Sequence, residues 1–95
     1  MMSWIKRKMV KILILTNNLV LISKIEEVGV DIGEPDCKLT EPFVIHIDSI
    51  TNNKTFSPWI FEYTNQNTMM ISSDKILTIV EPNQTLLQKY EDLIK

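Results

Sequence analysis

Two groups of polar residues in this sequence have the types and spacing to bind a ligand. One is the turn Ser72-Ser73-Asp74-Lys75, directly before the apolar run Ile76 to Val80, and the other is Lys6-Arg7-Lys8 near the N-terminus. Cationic side chains attract phosphate, and hydroxyl groups donate hydrogen bonds to phosphate oxygens or bases. These groups are therefore candidates for contact with a phosphate backbone. The alternatives are a solvated turn and a solubilising chain start.

Charge is distributed unevenly along the chain. Four of the ten basic residues fall within the first eleven positions, whereas all twelve acidic residues come later, and the formal net charge is −2. An acidic body repels phosphates, but a basic N-terminal arm still attracts them. We therefore expect any electrostatic binding to involve Lys6, Arg7 and Lys8, or Lys75.

Residue types that serve catalysis or metal binding are isolated. Cys37 and His46 are the single cysteine and the single histidine, and neither has a companion at a metal-ligand spacing. The acidic residues of the preceding loop do not match a calcium-binding pattern; they are Asp31, Glu34, Asp36 and Glu41. We therefore predict no catalysis, no metal site and no cofactor.

The length and composition describe one small soluble domain. The chain has 95 residues, of which 44% are hydrophobic and 23% charged. It has no apolar stretch long enough to span a membrane and no signal-peptide pattern, and a lone cysteine forms no internal disulfide. We expect a cytoplasmic protein without membrane contact. The predicted divisions are a basic arm at 1–9, a barrel at 10–80 and a helix at 83–94.

Short apolar runs separated by polar turns predict five antiparallel strands. The predicted strands are 10–15, 19–28, 43–50, 68–72 and 75–80. The loop 29–42 reads as a long connection or a broken strand. The last two strands are expected to form a hairpin around Ser73 and Asp74. The order predicts a strongly bent sheet.

The first two strands are apolar on both faces. Ile12 and Ile14 point one way and Leu13 and Leu15 the other, whereas a sheet with one solvated face alternates apolar with polar residues. Both faces therefore need cover. We expect a barrel core on one side and a helix or a neighbouring subunit on the other.

A closing helix is predicted after Pro82. Asn83 is a good N-cap, and five apolar residues then share one helical face: Leu86, Leu87, Tyr90, Leu93 and Ile94. A helix this short is marginal alone, so it must dock on the sheet or on a partner.

Aromatic side chains and methionines are concentrated between Phe56 and Met70. Pro58 could begin a short helical turn there. The candidates for a stacking platform or an interface are Trp59, Phe61, Tyr63, Met69 and Met70. Stacking platforms normally stand beside cations, and here Glu62 is the local charge, which favours packing within the core or between subunits.

A segment after the second strand is similar to the first motif of the Sm-like family. That motif reads Asp-x-x-Met-Asn-x-x-Leu, and DCKLTEPF places Asp36 first, Leu39 at the Met position and Thr40 at the Asn position. Phe43 stands at the final Leu position. Threonine is a shorter hydrogen-bonding group than the asparagine that reads a base in the family.

The turn at Ser72 to Lys75 is similar to the family's second motif, Ile-Arg-Gly-Asp-Asn-Val-x-x-Ile. ISSDKILTI matches it with Ile71, Asp74, Ile76 and Ile79, while Ser72-Ser73 replaces Arg-Gly. An arginine able to stack on a base or pair with a phosphate is therefore missing. Taken together, GEPDCKLTEPFVI and MMISSDKILTIVEP resemble the divergent Sm-like proteins of marine cyanophages, over about residues 10–93.

This resemblance implies a mainly β, Sm-like small barrel that assembles into a homo-oligomeric ring of five to seven subunits. It implies binding of single-stranded RNA, or of DNA, by a site comprising Asp36, Leu39, Thr40, Ser72, Ser73, Asp74 and Lys75, to which the charge pattern adds Lys6, Arg7 and Lys8. A phage protein would act in the host cytoplasm. The alternative is a phage protein-interaction or assembly module whose nucleotide site has decayed.

Overall fold

The computed structural model describes residues 9–29 and 31–95. Within them lie six strands, one short 3₁₀ helix at Ser73–Lys75 and one α-helix, α1, at Gln84–Leu93. The strands are β1 (Met9–Leu15), β2 (Val20–Glu27), β3 (Cys37–Ile47), β4 (Lys54–Pro58), β5 (Thr68–Ile71) and β6 (Ile76–Val80). The chain is mainly β with a C-terminal helix, as its sequence predicts, but it has six strands where five were expected.

The strands form one antiparallel sheet in the order β4-β3-β2-β1-β6, and β5 pairs with the first half of β3. Strand β1 pairs with β2 through a tight turn in which Asn18 has a φ of 69°. Asparagine tolerates this left-handed conformation, so the tight turn forms where the sequence predicts a hairpin. Among the described residues, β6 does not pair with β4 or β5, so the sheet is open.

The sheet curls around a single inner core. Leu13, Leu21, Ile25 and Leu39 are fully buried in this cluster, and Ile71 of β5 belongs to it. Ile76 and Ile79 of β6 pack against the same cluster. Strands at the two ends of the sheet therefore share one core although their backbones are not paired. This is the curvature that short strands in an antiparallel sheet predict.

The second apolar face of the hairpin is covered by α1, which confirms that both faces need cover. Ile12 and Ile22 form the outer cluster with Tyr90 of α1, and Leu86 and Ile94 pack against it. The helix begins as predicted, because the Asn83 side chain accepts a hydrogen bond from the Leu86 amide at 2.9 Å. Leu93, however, is about half exposed.

Strand β3 bends at Glu41 and Pro42, and its two halves pair with different strands on either side of this bend. Glu41 has a φ of 55°, and the register with β2 shifts opposite it, between Ile22 and Lys24. Residues before the bend pair with β5, and residues after it pair with β4. The fully buried Ser23 hydroxyl donates to the carbonyl oxygens of Lys24 (2.8 Å) and Thr40 (3.1 Å) across the bulge.

Several local predictions were wrong or confirmed only in part, and the bend explains most of them. The segment 29–42, predicted to be a long connection or a broken strand, is in part each: β3 begins at Cys37 and is interrupted at Glu41. Pro58 is the last residue of β4, and the turn begins after it, at Trp59. The last two predicted strands do not form a hairpin, because β5 pairs with β3 and β6 with β1. The expected turn between them is the 3₁₀ helix.

Candidate nucleic-acid interface

Two segments singled out by the sequence meet in space through Asp36 and Ser73. The Asp36 carboxylate accepts a hydrogen bond from the Ser73 amide at 2.7 Å and from the Ser73 hydroxyl at 2.8 Å. These two hydrogen bonds hold the pKa of Asp36 below its ordinary value, and the bond from the hydroxyl contributes more than the bond from the amide. Asp36 therefore joins the start of β3 to the turn that precedes β6.

The turn itself presents a cation beside this pair. The Lys75 amide donates to the Ser72 carbonyl at 3.0 Å, closing the 3₁₀ helix, and the Lys75 carbonyl accepts from the Thr16 amide at 2.9 Å. Both Asp74 and Lys75 are exposed. Among the residues that the structure describes, no ion pair involves Lys75, and the residue is exposed.

Two other predicted site residues lie inside the fold. Leu39 is fully buried in the inner core. The Thr40 hydroxyl is buried too, and within 9–29 and 31–95 it has no hydrogen-bonding partner. The Thr40 carbonyl instead accepts from Ser23 and Tyr90. In this conformation neither side chain reaches the surface around Lys75. The predicted arm of Lys6, Arg7 and Lys8 lies outside the described residues.

The isolated cysteine and histidine do not form a catalytic pair. Cys37 begins β3 and is fully buried, and burial raises the pKa of its thiol to about 11, with smaller contributions from Asp36 and Glu27. His46 stands near the opposite end of β3, with Nε2 3.0 Å from the Ser57 hydroxyl.

The acidic loop residues also have separate partners. Glu34 accepts from the Asp31 amide, Asp36 holds Ser73, and Glu41 pairs with Lys24 at 3.0 Å. Within the described part of the chain, no three His, Cys, Asp or Glu side chains are grouped so that they could hold a metal ion. No described helix is long and apolar enough to cross a membrane.

The two edges of the open sheet are unpaired among the described residues, and each carries an exposed apolar side chain. Strand β6 has the sequence ILTIV, and Leu77 is 64% exposed on it. The opposite edge is β5 and β4, where Met70 is 47% exposed. Sequence patterns do not reveal this feature, because a strand is an edge strand only when no other strand pairs with its outer side. Unpaired apolar edges are the usual place for pairing with another chain.

Comparison with known proteins gives one family for nearly the whole chain. No curated protein matches it. A family model described as a family of unknown function, DUF6561, matches residues 8–95, which include every strand, the 3₁₀ helix and α1. The chain therefore belongs to the DUF6561 family.

Proposed function

We propose that the protein is a non-catalytic, ring-forming module of Sm-like type that binds single-stranded nucleic acid, RNA in the first place, at the surface around Asp36 and Ser72 to Lys75. The observation that carries the proposal is the pair of hydrogen bonds between Asp36 and Ser73. They bring together the two segments whose sequences resemble the two Sm motifs, although 37 positions separate these residues.

The sheet edges support the proposed ring. A copy that offers β6 at one end of its sheet and β5 with β4 at the other can pair head to tail with two neighbours. Such heterologous contacts close into a ring when the rotation between copies allows it. Pairing would also cover Leu77 and Met70, which a single copy leaves exposed.

In a ring, Lys75 would be repeated once in every subunit. One exposed ammonium group contributes little affinity alone, but a collar of them, one per subunit, follows a phosphate backbone and releases counterions from it. Ser72 adds a hydroxyl group at the same turn. Asp74 lies between them in the sequence and weakens the attraction for phosphate. Because that attraction is electrostatic, we expect binding to depend strongly on salt.

A second candidate is an assembly module with a decayed nucleotide site. The buried Thr40 hydroxyl and the Ser72-Ser73 pair in place of Arg-Gly favour it, because both remove groups that would read a base. This module would keep the ring and bind a phage or host protein instead of RNA.

Two measurements on the full-length protein separate these candidates. Native mass spectrometry gives the number of subunits, and fluorescence anisotropy with labelled single-stranded RNA and DNA at two salt concentrations gives affinity. We expect Lys75→Ala to weaken RNA binding while leaving the subunit number unchanged. The matched control is Lys95→Ala, since Lys95 is an exposed lysine that follows α1 and lies near Asp92.

The outcomes are distinct. A closed oligomer that binds RNA through Lys75 supports the first candidate. A closed oligomer that binds neither RNA nor DNA at low salt supports the assembly module. A monomer at micromolar concentration contradicts both.

A further inference from the structure

A cavity of about 350 Å³ opens at the bend of β3, away from the turn that carries Lys75. Its walls come from the bend itself, from the chain between Pro58 of β4 and Met69 of β5, and from the end of α1. The size lies at the lower end of the range for small-ligand sites. The DUF6561 match and the Sm-like motifs assign nothing to it.

The walls of the cavity are aromatic and amide-rich. Phe43, Trp59 and Phe61 supply rings, and Asn65 and Asn67 supply side-chain amides. An amide carries both donors and an acceptor, so it can pair with the polar edge of a heterocycle. Among the described residues, the Asn65 amide group has no hydrogen-bonding partner within the chain, which leaves it free for a ligand.

The segment that builds the cavity is anchored and strained. The Trp59 amide donates to the Pro42 carbonyl at 2.9 Å, and the Glu41 amide donates to the Asn67 carbonyl at 2.6 Å. Ile60, a β-branched residue, has a φ of 52°, and Glu41 has a φ of 55°. Such conformations cost free energy in residues other than glycine, and they gather at ligand sites. Here Glu41 lines the cavity itself, and Ile60 lies between Trp59 and Phe61, which also line it.

The charge of the cavity excludes anions. Its described lining includes no lysine, arginine or histidine, and its one ionisable group is the Glu41 carboxylate, which already pairs with Lys24 at 3.0 Å. A phosphate would find no cationic side chain in this lining to pair with. A wholly aliphatic ligand would leave the amides unpaired. The lining therefore fits an uncharged, flat ring system with donors and acceptors along its edge.

We propose that this cavity binds a nucleobase between its aromatic and amide walls, while the attached sugar and phosphate remain outside. The inference rests on the proposed function when the base belongs to an RNA or DNA strand bound at Lys75. The base of a free nucleoside has the same chemistry and fits the same walls. Strand β5 connects the two places: Met69 lines the cavity, and Ser72 begins the turn three residues later, about 10 Å along an extended backbone.

Trp59 provides the test, because its indole lies in the wall. The full-length protein with Trp4→Phe keeps Trp59 as its single tryptophan. We would titrate it with the four free nucleosides, with short RNA oligomers and with an abasic oligomer of equal length. We expect quenching of the Trp59 fluorescence by nucleosides and by RNA, and none by the abasic oligomer.

Variants then locate the binding. Stacking on one aromatic side chain typically changes affinity by about five- to a hundredfold, so we expect Phe61→Ala to weaken base-dependent binding within that range. The control is Tyr63→Ala on the same segment, because Tyr63 is 87% exposed and does not line the cavity, whereas Phe61 lines it and is 56% exposed. Asn65→Ala tests the polar edge without altering an apolar contact.

Each result decides a separate claim. Quenching by nucleosides without binding of any oligonucleotide supports base binding in the cavity and overturns its link to the RNA proposal. Equal binding of RNA and abasic oligomers, with Phe61→Ala no worse than Tyr63→Ala, overturns the cavity proposal and leaves the Lys75 surface as the RNA site.

Discussion

At the scale of single residues, the fold depends on polar groups whose partners are distant in sequence. The sequence identifies Asp36, Ser73 and Lys75 as candidates by type and by resemblance to two motifs. It does not show that Asp36 meets Ser73, because that contact depends on the pairing of β5 with the first half of β3, in which Ile71 lies opposite Cys37. Nor does it show that the Thr40 hydroxyl is buried, since period-two alternation is lost at a bulge.

The first prediction concerns the pH dependence of the Asp36–Ser73 contact. The folded-state pKa of Asp36 is below its ordinary value of 3.8, so the contact stabilises the protein above that pH and loses its effect as the pH falls through the folded-state pKa. Ser73→Ala should lower the free energy of unfolding at pH 7 by up to about 1 kcal/mol, as expected for a solvated contact. The difference should shrink as the pH falls through the folded-state pKa of Asp36.

Urea unfolding followed by circular dichroism at several pH values measures this effect. Ser72→Ala is the control, since the Ser72 side chain makes no hydrogen bond within the described residues. A loss of stability in Ser73→Ala that does not change with pH would show that the hydroxyl acts by another route.

The second prediction concerns the hydroxyl group of Tyr90. This fully buried group accepts from the Lys24 amide at 3.3 Å and donates to the Glu41 carbonyl at 2.8 Å, with the Thr40 carbonyl at 3.2 Å. It thus pairs backbone groups that the bulge removes from the sheet. Tyr90→Phe should cost about 1–3 kcal/mol, because those groups stay buried without a partner.

Chemical denaturation of Tyr90→Phe measures that cost. Tyr63→Phe removes the same atom from an exposed side chain and should leave the denaturation midpoint unchanged. Equal midpoints for the two variants would mean that water replaces the Tyr90 hydroxyl at the bulge.

At the scale of elements, sequence patterns predict the hairpin and the helix well but miss β4. The hairpin is a long double-faced apolar run with an asparagine turn, and α1 has both a cap and a regular apolar face. Strand β4, Lys54–Pro58, is a mostly exposed edge that contributes Phe56 to the outer cluster. A strand with one half-buried apolar residue carries almost no periodic signal. Its existence depends on pairing with β3, which is a tertiary effect.

The third prediction tests the start of α1. Asn83→Ala removes the side-chain oxygen that accepts from the Leu86 amide and should cost about 1 kcal/mol. The helix covers Ile12 and Ile22, so the loss should appear in global unfolding and not only as fraying of the helix end. Asn53→Ala, in an exposed turn where the side chain makes no hydrogen bond within the described residues, is the control. Unchanged global stability with faster amide exchange limited to residues 84–87 would contradict the expected coupling.

At the scale of the whole molecule, the open sheet is the feature that the sequence indicates only indirectly. The apolar hairpin predicts cover on two faces, and the inner core and α1 provide it. The remaining unpaired surface is the two edges, at β6 and at β5 with β4. Which strands lie at the edges depends on the strand order. That order was not predicted, because β5 turned back onto β3 instead of pairing with β6.

The fourth prediction follows from head-to-tail pairing of these edges. A lysine on an edge strand opposes pairing, so Leu77→Lys should block the β6 edge and Met70→Lys the opposite edge. Each variant alone should then be monomeric by native mass spectrometry. Ile50→Lys, in a turn where Ile50 is 91% exposed, should leave the oligomer intact.

A mixture of the two blocked variants distinguishes head-to-tail pairing from symmetric pairing. The Leu77→Lys copy retains a free β5 edge and the Met70→Lys copy a free β6 edge, so the mixture should form a one-to-one dimer that cannot grow. Symmetric pairing of β6 with β6 would instead let Met70→Lys dimerise alone, because the same surface then serves both partners. That result would exclude a ring built through the two sheet edges, and with it the collar of Lys75 side chains on which the proposed RNA binding depends.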